Sequence, residues 1–172
     1  MLDLLKKRRS IRKFEPKEVE KEKIDTILKA ALLAPSSRAL RPWEFIAVTD
    51  KEVLKELSNF RGNGSKFLAD APLGIVVLAD HEICDVWVED ASITASIMQL
   101  TAVSLGLGSC WMQTRERVHD ENTKAGDYVK KLLGIPDKYS VLCILAIGYP
   151  AEDKKPYSDE DLLYGKIHNN KF

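Results

Sequence analysis

Val86 to Leu105 reads VWVEDASITASIMQLTAVSL and is the longest helical pattern in the chain, beginning at Val86 or Glu89. Ile93, Ile97, Leu100 and Ser104 share one face of that helix. Ala91, Ser92, Ala95, Ser96, Ala102 and Ser104 are small, so much of its surface permits close approach by another element. A helix that is apolar or small nearly all round is expected at the centre of a fold or at an interface. Gly106 and Gly108 end it, as glycines commonly do. Ser109 to Gln113 then reads as a short strand.

Working outward, Pro72 to Ala79 is an unbroken apolar run of strand length. Such a run fits a strand covered on both faces. Val141 to Ile147 is a second buried strand, closed by Gly148-Tyr149-Pro150, and Trp43 to Val48 is another. Between Val19 and Ala34, the residues Ile24, Ile27, Leu28, Ala31 and Leu32 recur with helical spacing, and Pro35 breaks the pattern. Further helices are expected over Leu2 to Lys7, over Lys51 to Asn59 with Asp50 as its cap, and over Ala125 to Leu133 before Gly134 and Pro136. Arg61-Gly62-Asn63-Gly64 reads as a loop. Helices alternating with four strands predict a sheet covered by helices. No repeat or Gly/Ser linker divides the chain, so residues 1–172 are expected to form one domain, with 150–172 an extended tail lacking a core of its own.

The 172 residues carry 26 Lys plus Arg and 26 Asp plus Glu. That neutral balance excludes a strongly basic nucleic-acid binder and an acidic disordered tail as defining features. No apolar run approaches the roughly 18–20 residues of a membrane span, and the N-terminus has no secretory pattern, because its charges follow the apolar residues. Neither a nucleic-acid nor a membrane partner is expected. Cys84, Cys110 and Cys143 are odd in number and lack a C-x-x-C spacing, which predicts a reducing, cytoplasmic setting. His81 and Cys84 have no partner pair at zinc-binding distance, so no metal is expected.

Three segments carry polar chemistry. Residues 1–14 hold Lys6, Lys7, Arg8, Arg9, Arg12 and Lys13 against Asp3 alone. If residues 8–14 are extended, side chains alternate, and Arg8, Ser10 and Arg12 point one way. Two guanidinium forks and a hydroxyl suit a phosphate, although the charge run taken alone fits a solvated basic terminus better. Pro35-Ser36-Ser37-Arg38-Ala39-Leu40-Arg41-Pro42-Trp43 places two hydroxyls and two arginines in a loop between helix and strand. Such loops often bind ligands, and Pro and Ser equally build plain turns. Gly106-Leu107-Gly108-Ser109-Cys110-Trp111-Met112-Gln113 leads into a strand, with no third glycine and no following helix, so it is not a dinucleotide loop. No hydrolase elbow and no acid/base carboxylate dyad is visible.

Together these pieces resemble the nitroreductase family of FMN-dependent oxidoreductases. The resemblance rests on Arg8-Arg9-Ser10-Ile11-Arg12-Lys13-Phe14, on Ala34-Pro35-Ser36-Ser37 through Arg41-Pro42-Trp43, on the long Ala/Ser-rich helix ending Leu105-Gly106-Leu107-Gly108-Ser109, and on Ile147-Gly148-Tyr149-Pro150-Ala151-Glu152. Their order and spacing span nearly the whole chain.

The resemblance implies an α+β fold: an antiparallel central sheet flanked by helices in three layers, dimerised through the long helix, with the C-terminal tail extending over the partner subunit. It implies a homodimer holding FMN in clefts at the subunit interface. Arg8, Arg9 and Arg12 would hold the phosphate region and Ser10 the pyrimidine edge. Pro35, Ser36 and Ser37 would reach the same flavin from the other subunit. Trp111, Met112 and Gln113 would pass the dimethylbenzene and N5 side, with Asn63 a further polar contact. Lys154 or Lys155 would add a cation at the phosphate where relatives usually have Arg. Many relatives carry Asn where Arg38-Ala39-Leu40 stands here.

The flavin carries the hydride chemistry while the protein supplies orientation and charge. Arg12 would stabilise negative charge near flavin N1 and O2. The implied cycle is ping-pong, with NAD(P)H as co-substrate reducing flavin N5 and a small acceptor following. Residues 51–71 leave no room for the long lid of dehalogenating relatives, so a nitroaromatic or quinone acceptor is expected. The alternatives are a flavin-binding or flavin-handling protein without NAD(P)H turnover, a reductase served by another donor, and an α/β interaction module without cofactor.

Overall fold

The computed structural model describes residues 1–172. Helix α1 (Leu2–Lys7) leads into extended chain; α2 (Lys21–Leu32) precedes strand β1 (Trp43–Val48). Helix α3 (Lys51–Leu57), strand β2 (Leu73–Asp80), helix α4 (Trp87–Ser104), strand β3 (Gly108–Gln113), helix α5 (Ala125–Leu133) and strand β4 (Tyr139–Gly148) complete the frame. Asp50 caps α3 as expected, its carboxylate accepting the N–H groups of Glu52 and Val53. Gly134 closes α5 in the left-handed conformation, φ 67°. The segment expected to loop after α3 instead winds into a 3₁₀ stretch, Gly62–Asp70, that buries Leu68.

The four strands form one wholly antiparallel sheet in the order β1-β2-β4-β3. The two apolar runs, β2 and β4, occupy its centre. Their side chains alternate between two hydrophobic layers: Val76, Leu78, Ile144 and Ala146 enter one, and Leu73, Ile75, Val77, Leu145 and Ile147 the other. The first layer is closed by Leu54, Leu57, Phe60, Ala125 and Val129, and the second by Ile27, Ala31, Ala91, Ala95, Met98 and Ala102. Each such large side chain contributes about 1.5–3 kcal/mol by burial. The chain is therefore α+β with an antiparallel sheet flanked by helices.

Helix α4 lies against the sheet on its small side. Its buried residues are Asp90, Ala91, Thr94, Ala95, Met98, Gln99 and Ala102. The Thr94 hydroxyl donates to the Ala31 carbonyl at 2.8 Å, which ties α4 to α2. The Ile93, Ile97, Leu100 and Ser104 face is turned outward, with Ile93 and Ser104 exposed. No helix is long and apolar enough to cross a membrane.

The tail folds back along the N-terminal segment of its own chain. Ala151 N–H donates to Lys13 O at 2.9 Å, Tyr157 N–H donates to Lys6 O at 3.0 Å, and Lys6 pairs with Asp159 at 2.7 Å. Beyond this, Leu163, Tyr164, Ile167 and Phe172 are exposed.

Candidate functional site

Residues 8–12 run as an extra strand beside the free edge of β3. Ser10 bridges Ser109 in parallel, and the Ile11 N–H donates to Ser109 O at 3.0 Å. Extended backbone alternates its side chains, so Ile11 is buried over Gly108 while Ser10 and Arg12 flank it. Arg8, Ser10 and Arg12 converge near Cys110. Burial pushes the Cys110 thiol up, and Arg12, Ser10 and Arg8 oppose that rise.

Glu152 fixes this segment. One carboxylate oxygen accepts the Arg12 N–H at 2.6 Å and the Lys13 N–H at 3.2 Å, and the other pairs with Lys154 at 3.1 Å. The Arg12 N–H is the main reason its carboxyl sits below the usual range. Glu152 thus spends its charge on backbone and on Lys154, leaving the Arg8 and Arg12 guanidiniums without a carboxylate partner. A strand edge carrying two free guanidiniums and a hydroxyl fits a phosphate, which accepts paired charged hydrogen bonds.

Arg9 lies apart from that trio. Its guanidinium donates to the Lys155 carbonyl and lies 4.5 Å from the Tyr157 ring centroid. Lys155 is exposed, and Lys154 is engaged with Glu152.

The Pro35–Arg41 loop is held tightly. The Ser37 N–H donates to Asp90 Oδ1 at 2.9 Å, and the Arg41 N–H donates to the Ser36 hydroxyl at 2.9 Å. The Ser36 oxygen is thereby used as an acceptor, and its O–H has no acceptor within the chain. Arg38, Ala39 and Arg41 have φ of 52°, 55° and 48°. Left-handed non-glycine residues cost on the order of 1 kcal/mol each and persist only where the surroundings enforce them. Ser36 and Ser37 are half-buried, and Pro35 is exposed.

On β3, Trp111 Nε1 donates to Gln113 Oε1 at 2.9 Å, which orients both half-buried side chains. Met112 points the other way. Its side chain is buried in the layer with Ile11, Leu57 and Ile144, so only its backbone faces the strand edge. Arg61 donates to the Gln113 carbonyl at 3.3 Å and brings the exposed Asn63 turn to the end of β3. Sequence reading assigned no role to Arg61, Asp90 or Glu152. Asp90 stands beside a second acid, Glu89, in the first turn of α4, so its burial has no local signal, and Arg61 has none either; Glu152 closes the Ile147–Glu152 motif, which gave no hint of its partner.

Within one chain, the two polar segments lie towards opposite ends of α4. Ser37 is tied to Asp90 at its start, whereas Ser10 adjoins Ser109, whose hydroxyl accepts from Gln99 at 3.2 Å. Asp90 and Gln99 are nine positions apart along the helix, roughly 14 Å at 1.5 Å per residue.

Fold and site define an α+β protein that carries a cationic, hydroxyl-bearing rim on the open edge of an antiparallel sheet. The model of the nitroreductase family matches residues 5–62 and 54–149. The chain belongs to the nitroreductase family. It is 60% identical to an FMN-dependent nitroreductase from Clostridium difficile R20291 whose solved structure superposes with a TM-score of 0.99, covering 100% of both chains. It is 38% identical to an Archaeoglobus fulgidus protein named for NADH dehydrogenase or NAD(P)H nitroreductase activity, over 99% of this chain and 98% of that one. It is 31% identical to the FMN reductase (NADPH) of Bacillus subtilis, over 95% of this chain and 71% of that one.

Proposed function

We propose that this chain is an FMN-dependent NAD(P)H oxidoreductase that passes reducing equivalents to a small acceptor such as a nitroaromatic or a quinone. The observation that carries the reading is the convergence of Arg8, Ser10 and Arg12 near Cys110, with the neighbouring Glu152 carboxylate paired to Lys154 and to backbone N–H groups and to neither guanidinium. FMN, when bound, supplies the two-electron hydride chemistry.

The chain's own residues do the rest. Arg8 and Arg12 bind the phosphate and the electron-rich pyrimidine side, and Ser10 adds a hydrogen bond. A guanidinium stays protonated throughout, so Arg12 stabilises developing negative charge without exchanging a proton. Ser36 offers its free O–H, and Trp111 and Gln113, locked together, border the ring edge. Asn63 approaches from the turn held by Arg61. Lys154 stands beside the same segment through Glu152, and Lys155 with Arg9 ties the tail to it.

The complete site takes two chains. An antiparallel pairing of two α4 helices across a two-fold axis sets the start of one beside the end of the other. That brings Pro35, Ser36 and Ser37 of one chain to Arg8, Ser10 and Arg12 of its partner. The outward face of Ile93, Ile97 and Leu100 supports such a homodimer, and the exposed apolar end of the tail supports its reaching over the partner.

The test is direct. Purified protein is expected to be yellow, to release FMN, and to prefer FMN over riboflavin. Anaerobic stopped-flow mixing with NADH or NADPH is expected to bleach the flavin absorbance, and a nitroarene or quinone to restore it. Equal affinity for riboflavin and FMN defeats the phosphate assignment. Bleaching by dithionite but by neither nicotinamide defeats the donor assignment.

A further inference from the structure

We infer that Asp90 is a positioning residue for the flavin site, acting through the Pro35–Arg41 loop from the buried start of α4. This rests on the reading that the loop contacts FMN.

Asp90 is 3% exposed, an unusual place for a carboxylate. Both its oxygens are engaged. Oδ1 accepts the Ser37 N–H at 2.9 Å, and Oδ2 accepts the Cys84 thiol at 3.4 Å. Cys84 is itself buried, and burial pushes its thiol up, so it stays protonated as the donor that this contact requires. The carboxylate is thereby held in one orientation, with Oδ1 facing the loop.

What it holds is a loop that would not keep its shape alone. Three of its residues, Arg38, Ala39 and Arg41, have left-handed backbone without being glycine. Strained segments of this kind are maintained by contacts from outside. Two such contacts reach the loop where the strained run begins: Asp90 on Ser37, and the pairing of Arg38 with Asp85. The Arg38 pair is exposed and therefore weak. The buried Asp90 contact is the stronger tether, and it lies next to Ser36, whose O–H has no acceptor within the chain and is the donor the proposed site would use. Asp90 acts by position, because both its oxygens are engaged by partners within the fold.

The experiment is an FMN titration of the flavin-free protein, read as a double-mutant cycle. Asp90→Ala is expected to weaken FMN binding about tenfold or more. Ser36→Ala alone also weakens binding, but in the Asp90→Ala background it is expected to cost nothing further, since the loop has already left the flavin. Arg12→Ala, on the other polar segment, is expected to add fully to Asp90→Ala. Asp90→Asn keeps an oxygen for the Ser37 N–H and is expected to restore most of the affinity. If Asp90→Ala fails to fold, Cys84→Ala takes its place in the cycle: the carboxylate remains but loses its orienting thiol. A smaller loss, again absorbed by Ser36→Ala, is then expected.

Additivity of the Asp90 or Cys84 variant with Ser36→Ala, or unchanged FMN affinity, overturns the inference while leaving the flavin assignment intact. A wild type that binds no FMN overturns both.

Discussion

A Cβ placed on Gly108 would stand 2.8 Å from Cγ1 of Ile11 and 2.9 Å from its Cβ. The N-terminal segment packs closest on β3 at this glycine, beside its hydrogen bond to Ser109, because Ile11 is buried over it and β-branched, with little rotamer freedom to retreat. Gly108→Ala is expected to push residues 8–12 off the strand edge, costing about 1–3 kcal/mol as overpacking does. Chemical denaturation measures the stability, and an FMN titration is expected to show weaker binding although no ligand-facing side chain has changed. Unaltered stability and affinity would mean that the segment is not seated on β3.

Arg12→Ala removes a charge-assisted contact worth about 1.5–3 kcal/mol, a weakening of roughly 10- to 150-fold in FMN affinity. Riboflavin affinity is expected to fall less, since it lacks the phosphate. Fluorescence titration of the flavin-free protein with each ligand separates the two effects.

Subunit mixing tests the shared site. One variant carries Arg12→Ala; the other has Ser36 and Ser37 replaced by bulky residues. Each homodimer holds two damaged sites, whereas their heterodimer holds one doubly damaged and one intact site. Co-expression with two tags and tandem purification is expected to return about half of the wild-type flavin content. A heterodimer no better than its parents places both segments in one chain's site.

Glu152 ties stability to pH. Its carboxyl is held low, chiefly by the Arg12 N–H. A group with a depressed folded-state pKa stabilises above its unfolded value, near 4.5, and that contribution disappears as pH falls through the folded value. Glu152→Gln is therefore expected to lower the melting temperature at neutral pH, by about 1 kcal/mol of stability. The gap from wild type is expected to close as pH drops below the ordinary carboxylate range. Melting curves at several pH values check the sign; a gap that widens in acid contradicts it.

Much of the fold was legible in the local pattern. Runs such as Val141 to Ile147 fell within a central strand, β4, because burial on both faces leaves an unbroken apolar signature. Asp50 and Gly134 marked helix ends because capping is chemistry between near neighbours. The segment after α3 was less legible, since Gly62, Asn63 and Gly64 suggest a loop wherever they occur, and packing of Leu68 winds the chain tighter.

By itself the sequence determined the order of helices and strands, the neutral charge, the absence of an apolar run of membrane-spanning length, and the clustering of arginines and serines in two segments. Periodicity and composition record how each residue meets water, and that is settled locally. Only the tertiary structure decided which atoms those residues meet. It turned the Met112 side chain into the core, gave Arg9 to the Lys155 carbonyl, and put Arg8, Ser10 and Arg12 around Cys110. It set Asp90 beneath Ser37, 53 positions away, and Glu152 beneath Arg12, 140 positions away. These contacts join segments that are remote along the chain. Their partners are selected by sheet register and helix packing, which act between elements and leave no mark in the spacing of either one.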